Sequence, residues 1–198
     1  NSLEPDLIAV TGDLVDGSVE GLAPHVAPLG TMKARPGSWF VTGNHEYYSG
    51  VHDWTAQTEH LGFRVLINDS CLIERGKHSV ALVGITDFSA EGVLPDHRSD
   101  PRGTLTNAPK ADLTILLAHQ PRSVHAAGGA DLQLSGHTHG GQFIPWKYIV
   151  PLQQTYLAGL HRHESTWIYV HSGCGYWGPP LRLGAPSEIA LHTIRSTS

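Results

Sequence analysis

Cysteines and runs of basic residues are scarce in this sequence. Its 198 residues include two cysteines, Cys71 and Cys174, whose separation fits neither a C-x-x-C motif nor a zinc knuckle. Two cysteines leave both a disulfide and two free thiols open. Lys and Arg number 13 against 18 Asp and Glu, which gives a formal net charge of −5. Because no Lys/Arg run is present to follow a phosphate backbone, we expect no long groove for nucleic acid.

The sequence also lacks a long apolar run and two common catalytic motifs. No apolar stretch reaches the roughly 18 residues that a membrane-spanning helix needs. Neither G-x-S-x-G nor G-x-x-x-x-G-K-[ST] occurs, which argues against serine hydrolases with a nucleophile elbow and against P-loop proteins. The chain begins Asn-Ser-Leu-Glu, without Met or a signal peptide, so we expect its true start to have been lost or trimmed.

Histidine is abundant in an otherwise ordinary globular composition. Apolar residues make up 40% and charged residues 16%, and the length fits one domain spanning residues 1–198. The 14 histidines outnumber Lys and Arg together, and neutral imidazole is the commonest metal-ligating side chain. We expect several of the histidines to be surface residues, namely His25, His60, His78, His97 and His192.

Four short apolar runs each end at a polar cluster. Residues 7–10 lead into TGD, residues 39–41 into TGNHE, residues 113–118 into HQP and residues 132–134 into SGHTHGG. Helix-compatible stretches at 18–33, 51–61 and 123–127 lie between them, which predicts an α/β fold with buried strands. Because ligands bind beyond the carboxyl ends of strands in such sheets, we expect the polar clusters to converge on one site.

A second group of runs is typical of β-strands and has fewer helix-compatible stretches between its members. These runs are residues 64–67, 71–74, 80–84, 167–171 and 189–194, and they predict a second sheet packed on the first. Residues 101–109 are polar and turn-rich, and we expect them to form a long exposed loop.

The residue types at the four strand ends are those of a hydrolase that uses two metal ions. The series GD, GNHE, H and GHTHGGQ resembles the calcineurin-like metallophosphoesterases over nearly the whole chain. The later GYWGPPLRL segment is similar to the bacterial branch of that family, whose members often carry an N-terminal membrane anchor or export signal. His-x-His also occurs in amidohydrolases and β-lactamase-like zinc enzymes, but the Gly-Gly-Gln that follows it here differs from the β-lactamase pattern.

The resemblance implies an α/β fold of the two-sheet αββα sandwich type, without its first strand. It implies that Asp13 bridges two ions of Mn, Fe, Zn or Co, that Asn44, His119 and His137 hold the second ion, and that His139 reaches the first. His45 would protonate the leaving oxygen or stabilise the transition state. A metal-bridging hydroxide would hydrolyse phosphate esters, with phosphodiesters favoured over monoesters.

One departure from the family concerns the first metal ion. The family begins with an Asp-x-His motif that supplies two of its ligands, and no Asp-x-His occurs in this sequence. Only Asp13 and His139 would remain for the first ion, which two protein ligands hold poorly. Truncation, a disordered N-terminal segment and a natural one-metal variant all remain open. The alternative function is therefore a catalytically impaired binding or scaffold module with one metal site.

Further side chains are candidates for the surroundings of the site. Glu46 is expected either to orient a ligand imidazole or to lie in water as a loop carboxylate. The substrate mouth is predicted from one basic and several aromatic residues, with Arg182 as a phosphate fork: Tyr47, Tyr48, Trp146, Trp177 and Arg182. His161 and His163 are expected at the surface, whereas His171 either neighbours the site or merely ends its strand.

The expected substrate is a small-molecule, lipid or polymer phosphate ester, and nothing in the sequence points to a protein partner. We expect a soluble domain that is membrane-associated or exported in the full-length bacterial protein, with attachment through a missing N-terminal segment.

Overall fold

A computed structural model of the chain describes residues 3–195. The first of its two sheets has three parallel strands in the order β1 (Leu7–Val10), β2 (Gly37–Phe40) and β3 (Phe63–Val65). Helix α1 (Val19–Val26) and a 3-10 turn (Ala27–Thr31) connect β1 to β2, and helices α2 (Asn44–Ser49) and α3 (Val51–His60) connect β2 to β3. Ser18 begins α1, since its side chain accepts a hydrogen bond from the Gly21 amide.

The second sheet has six strands. They are β4 (Asp69–Arg75), β5 (His78–Gly84), β6 (Leu113–Leu117), β7 (Leu132–Ser135), β8 (Gly159–His163) and β9 (Thr166–Val170). Their order is β4-β5-β6-β7-β9-β8, with parallel pairing from β5 to β9 and an antiparallel strand at either edge. Helix α4 (Pro101–Asn107) connects β5 to β6, and 3-10 turns at Pro121–Ala126, His139–Gly141, Trp146–Tyr148 and Val150–Leu152 follow β6 and β7.

Alternating side chains of the central strands fill cores on both faces of the second sheet. Leu82 and Leu117 pack with Trp39 of β2 and with Val41 just after it, so this core lies between the sheets. Leu116, the neighbour of Leu117, points the other way into a core that also contains Val124 and contacts Leu105 of α4. A third cluster, around Trp54, joins α1 and α3. This arrangement confirms the predicted α/β sandwich of two sheets between helices.

Several details of the predicted elements were wrong. The runs at 113–118 and 132–134 belong to the six-stranded sheet rather than to the sheet of β1, and the run at 64–67 belongs to the sheet of β1. The apolar character of a run shows that it is buried, but not which strand it pairs with. The stretch at 123–127 forms a 3-10 turn instead of an α-helix, and residues 18–33 leave the α-helix at Val26.

Two more segments differ from expectation. Residues 189–194 pair with no strand in the described range, and their apolar side chains are exposed, with Ile189 at 79%. Residues 101–107 form α4 rather than a loop, because Asp100 accepts from the Gly103 amide and Pro101 suits the first helical turn. Cys71 and Cys174 are both free thiols. None of the helices within residues 3–195 combines the length and apolar character needed to span a bilayer.

Candidate metal centre

The loops after β1 and β2 approach so closely that only glycine fits between them. A Cβ atom at Gly12 would overlap the backbone of Gly43, and a Cβ atom at Gly43 would overlap the carboxylate of Asp13. Gly12 also has a φ of 86°, a backbone conformation that favours glycine. The two glycines therefore allow the loop after β2 to reach the side chain of Asp13.

Three of the predicted ligands come together beyond the strand ends. Nε2 of His119 lies 3.0 Å from Oδ2 of Asp13 and 3.1 Å from Nδ1 of His137. One donor atom from each of the three side chains lies within 4.8 Å of the others. Asp13 belongs to the loop after the first sheet's β1, whereas His119 and His137 follow β6 and β7 of the second. This cluster confirms the expected convergence of separate loops.

The backbone carbonyl of Thr11 fixes the orientation of the His119 ring. Nδ1 of His119 donates to this carbonyl at 2.6 Å, and a carbonyl oxygen can only accept. The neutral ring therefore carries its proton on Nδ1, which leaves the lone pair of Nε2 pointing into the cluster. A ligand histidine oriented by a carbonyl at its other nitrogen is the usual arrangement in protein metal sites.

Burial and mutual charge shift the pKa values of the cluster strongly. Burial raises the pKa of Asp13, but the charge of His119 and hydrogen bonds outweigh it, so the pKa lies well below its usual range. Burial lowers the pKa of His119, but the Asp13 carboxylate outweighs it and raises this pKa to about 9. Burial and the neighbouring His119 lower the pKa of His137 to about 3. In the metal-free protein at neutral pH, His119 is therefore protonated beside the carboxylate of Asp13. A positive charge is thus favoured at this place.

Asn44 provides an independent test of whether these residues suit a metal ion. Its Oδ1 atom is buried and has no hydrogen-bond partner within residues 3–195. The residues on either side both contact Asp13, Gly43 by its close backbone approach and His45 through its amide, which donates to Oδ1 of Asp13 at 2.9 Å. An unpaired buried oxygen costs about 1–3 kcal/mol. An amide oxygen, a carboxylate and two imidazoles are donor types that suit a divalent transition metal.

Glu46 holds the two loops of the first sheet together. It is fully buried, and its carboxylate accepts from the amides of Gly43 at 2.7 Å, Asp13 at 2.9 Å and Leu14 at 2.7 Å. Burial and the nearby Asp13 raise its pKa, although the backbone donors oppose the shift. Both expectations for Glu46 were wrong. Its carboxylate is not in water, and its hydrogen-bond partners are backbone amides rather than a ligand imidazole. It positions the backbone of Asp13.

His45 lies at the edge of the cluster and pairs with an aspartate that the sequence analysis overlooked. Its Nδ1 lies 3.1 Å from Oδ1 of Asp16, and its ring contacts Tyr48 edge-on at 5.6 Å. The signal was present in the sequence, because Asp16 follows Asp13 by three residues in the same loop. The structure does not test the catalytic role of His45, which stays a prediction.

His139 and Arg182 form a second polar contact next to the cluster. His139 is not one of the three residues whose donor atoms lie within 4.8 Å, although Asp13 and His119 both affect its pKa, which burial and Arg182 lower to about 4. Nη2 of Arg182 lies 3.3 Å from Nδ1 of His139. The guanidinium also donates to four backbone carbonyls, those of His139, Ser172, Gly175 and Ala185. Arg182 therefore fastens the loop of residues 172–185 to His139.

The aromatic candidates differ in placement. Tyr47 is buried, and its hydroxyl lies 2.9 Å from Nδ1 of His97 and 3.3 Å from Oγ1 of Thr42. Trp177 is 38% exposed and contacts Trp146 edge-on at 5.7 Å. Substrate contacts of Tyr47, Trp177 and Arg182 stay predictions.

The remaining histidines divide between surface and site. Four of the five expected at the surface are exposed, whereas His97 is half-buried against Tyr47. His161 and His163 are also half-buried, because both rings contact Tyr156. His171 neighbours the site, since its Nε2 lies 2.7 Å from Oγ1 of Thr11, whose carbonyl orients His119.

A buried polar network beside His119 was also missed. Asp87 is fully buried and accepts from Nε2 of Gln120, whose Oε1 accepts from Nε of Arg122 at 2.7 Å. The guanidinium carbon of Arg122 lies 4.2 Å from the ring centroid of Phe88, and its charge contributes to the low pKa of His137. The sequence contained a signal for this network, namely a polar residue after an apolar strand. Asp87 follows the end of β5 by three residues.

Known proteins resemble this chain in sequence and in fold. The sequence profile described as calcineurin-like phosphoesterase matches residues 1–141, well over half of the chain. The chain belongs to the calcineurin-like phosphoesterase family. This phosphoesterase is 42% identical over 194 residues to an uncharacterized metallophosphoesterase of Helicobacter pylori (strain ATCC 700392 / 26695), covering 96% of this chain and 51% of the relative. It is 31% identical over 195 residues to an uncharacterized metallophosphoesterase of Aquifex aeolicus, covering 97% and 74%.

A third relative is a Bos taurus protein named transmembrane protein with metallophosphoesterase domain. It is 40% identical over 202 residues, which cover 96% of the phosphoesterase chain and 46% of the relative. The chain thus spans about half the length of the Helicobacter and Bos proteins. The family to which the chain belongs consists of metal-dependent phosphoesterases.

Solved structures share the fold of this phosphoesterase at low sequence identity. The sulfate thiohydrolase SoxB of Thermus thermophilus in complex with glycerol has a TM-score of 0.57 at 16% identity, covering 83% of this chain and 33% of SoxB. A 5'-nucleotidase precursor, also of Thermus thermophilus, has a TM-score of 0.53 at 16% identity, covering 84% and 39%. At this identity the likeness establishes the fold alone.

Proposed function

We propose that this chain hydrolyses phosphate esters in a metal-dependent reaction, with phosphodiesters preferred to monoesters. The observation that carries the proposal is the convergence of donor atoms of Asp13, His119 and His137, of which His119 is buried and the other two are half-buried. The unpaired Oδ1 of Asn44 supports it.

We assign the ligands as follows. Asp13, Asn44, His119 and His137 hold one divalent ion, and Asp13 together with His139 contributes to a second. When bound, the ions supply a nucleophile by lowering the pKa of a coordinated water, and they offset the charge of the phosphoryl group. The His119 ring is oriented in advance by the carbonyl of Thr11. Mn, Fe, Zn and Co all suit this mixture of nitrogen and oxygen donors.

His45 acts on the leaving group in this proposal. Its Nδ1 is held by Asp16, so its Nε2 is available to donate a proton to the departing alkoxide. Asp16 orients the ring through this contact.

Arg122 is the cation that we propose to face the phosphoryl oxygens. Its Nε is bound to Gln120, while its two terminal nitrogens have no hydrogen-bond partner in the described part of the chain. The Phe88 ring fixes the plane of the guanidinium. Arg182 is less suited to this role, because its donors are directed to backbone carbonyls and His139.

The preference for diesters follows from charge. A diester carries one negative charge, whereas a monoester at neutral pH carries about two. Apart from the metal ions, the surroundings supply one guanidinium with free donors, and the carboxylate of Asp16 stands beside His45. A singly charged substrate is better matched to this balance.

The substrate itself is proposed only as a small-molecule, lipid or polymer phosphate ester. The Bos taurus relative is named as a transmembrane protein. By analogy, we propose that this domain acts next to a membrane in the full-length protein.

The test combines metal analysis with turnover. Purified protein, stripped and reloaded with Mn, Fe, Zn or Co, is assayed on bis-p-nitrophenyl and mono-p-nitrophenyl phosphate, and bound metal is measured per chain. We expect faster turnover of the diester with at least one metal. Stoichiometric metal binding without turnover of either ester would support the alternative of a binding or scaffold module with one site.

A further inference from the structure

Two exposed segments beside the metal centre form an apolar surface. We call this surface the aromatic rim and define it as residues 143–152 and 176–183. Its most prominent apolar side chains are each at least 55% exposed: Ile144, Tyr148, Leu152, Tyr176 and Leu183. The proposed reaction uses none of these side chains. A soluble protein rarely exposes apolar groups in such concentration without a function.

Contacts with Gln142 join the two segments into one surface. The buried side-chain amide of Gln142 donates to the carbonyl of Trp177 at 2.8 Å and accepts from the Trp177 amide at 3.0 Å. The carbonyl of Gln142 accepts from the Leu183 amide at 2.8 Å, and the ring of Trp177 meets that of Trp146. Because Arg182 binds His139, the aromatic rim directly adjoins the metal centre.

The charge of this region differs from that of the whole chain. The chain contains 18 Asp and Glu and has a net charge of −5, but residues 132–187 include a single acidic residue, Glu164. The aromatic rim itself contains no acidic residue and two basic ones, Lys147 and Arg182. An anionic surface would therefore repel most of this protein and attract the rim.

We propose that the aromatic rim docks on the surface of an anionic lipid bilayer. Trp and Tyr side chains favour the interface between headgroups and acyl chains, and Ile and Leu side chains gain free energy by inserting below it. Lys147 adds attraction to anionic headgroups. A second copy of this chain is the weaker candidate, because a symmetric contact would place the basic residues of two rims against each other. Docking would hold the metal centre at the level of the lipid phosphates.

Vesicle binding tests the inference without any turnover. The 198-residue chain is sedimented with vesicles of phosphatidylcholine mixed with phosphatidylglycerol, and with vesicles of phosphatidylcholine alone. We expect binding to both and tighter binding to the anionic vesicles. The double variant Tyr148→Ser/Leu152→Ser should lower the partition coefficient at least about tenfold, since each side chain loses its buried apolar area. Lys147→Glu should weaken binding to the anionic vesicles more than to the neutral ones.

The matched control is Leu72→Ser, which removes a 42% exposed apolar side chain from β4, at the edge of the sheet remote from β7 and β9. It should bind vesicles as the parent does, and thermal unfolding checks that all variants fold. Acyl chains brominated near the headgroup should quench the fluorescence of the parent, because Trp146 and Trp177 lie in the rim. Binding that is absent, or unaffected by the rim variants, overturns the inference, as does a dimer that the rim variants dissociate. Failure of the proposed hydrolysis would leave these results unchanged.

Discussion

Oδ1 of Asp16 lies 3.1 Å from Nδ1 of His45, so an aspartate at the protein surface orients the histidine that we propose as the general acid. Asp16 is 74% exposed and His45 is 22% exposed. The pair is therefore reached from solvent, whereas His119 is almost fully buried. This difference in access separates the proposed proton donor from the proposed metal ligands.

Replacing Asp16 by Asn should slow catalysis without disturbing the metal centre. We expect kcat to fall about tenfold, which is a usual loss of activity when the partner that orients a functional histidine is removed. The metal content should stay unchanged. If His45 protonates the leaving group, the loss should be larger for an alkyl ester than for a p-nitrophenyl ester, whose leaving group needs little protonation. An equal loss on both esters would argue against the general-acid role. Steady-state kinetics on the two substrates provides the measurement.

Substitutions of Arg122 and Arg182 by Gln should affect different properties. Arg122→Gln is expected to raise KM about tenfold or more, because one charge-assisted contact to the phosphoryl group is lost, with little change in thermal stability. Arg182→Gln should instead lower the unfolding free energy by about 2–4 kcal/mol, since several carbonyls around a half-buried guanidinium lose their donor. Kinetics and denaturant unfolding of both variants measure this. A raised KM for Arg182→Gln together with a lowered stability for Arg122→Gln would instead support Arg182 as the phosphate-binding residue, as the sequence predicted.

Asn44→Ala should separate metal binding from folding. Its Oδ1 makes no hydrogen bond in the described part of the chain, so removing this unpaired oxygen should leave the metal-free variant at least as stable as the parent. Metal affinity should fall about tenfold or more, because one oxygen donor is lost. Calorimetric titration with Mn or Zn, next to denaturant unfolding in chelator, gives both values. Unchanged affinity would remove Asn44 from the proposed ligand set.

The metal-free protein should be most stable near the ordinary pKa of histidine, about 6.5. The pKa of His119 is raised to about 9 in the folded state, so its contribution is present below 6.5 and is lost as the pH rises through 9. The pKa values of His137 and His171 are lowered to about 3 and 4, so stability is also lost as the pH falls from 6.5 towards 4.

Denaturant midpoints of chelated protein across this pH range test the prediction. In the His119→Gln variant the alkaline loss should be much smaller, while the acid loss should remain. A flat profile above pH 6.5 in the parent would contradict the inferred coupling between His119 and Asp13.

The sequence predicted the layers of the fold and the convergence of three side chains, but not how the strands pair. Polar clusters after apolar runs predicted that separate loops meet, because the carboxyl ends of parallel strands share one edge of a sheet, whereas the choice of Asp13, His119 and His137 came from the family resemblance. The predicted assignment of strands to the two sheets was wrong, because an apolar run does not indicate which other strand it pairs with.

The surroundings of the site depended on tertiary contacts that are not local in sequence. Glu46 was expected to touch an imidazole but binds backbone amides 32 and 33 residues away. Arg122 was overlooked because the guanidinium lies over the ring of Phe88, a residue that is distant in sequence and is brought next to it only in the folded chain.

The two sheets contribute to the cluster from opposite sides, Asp13 from the loop after β1 and two histidines from the loops after β6 and β7. Since no backbone ladder connects the sheets within the described residues, a cation bound there would be a cross-link between two separately hydrogen-bonded halves. Its removal by a chelator should thus loosen the contact between the halves before either sheet melts, and hydrogen exchange should rise first in β1 and β2.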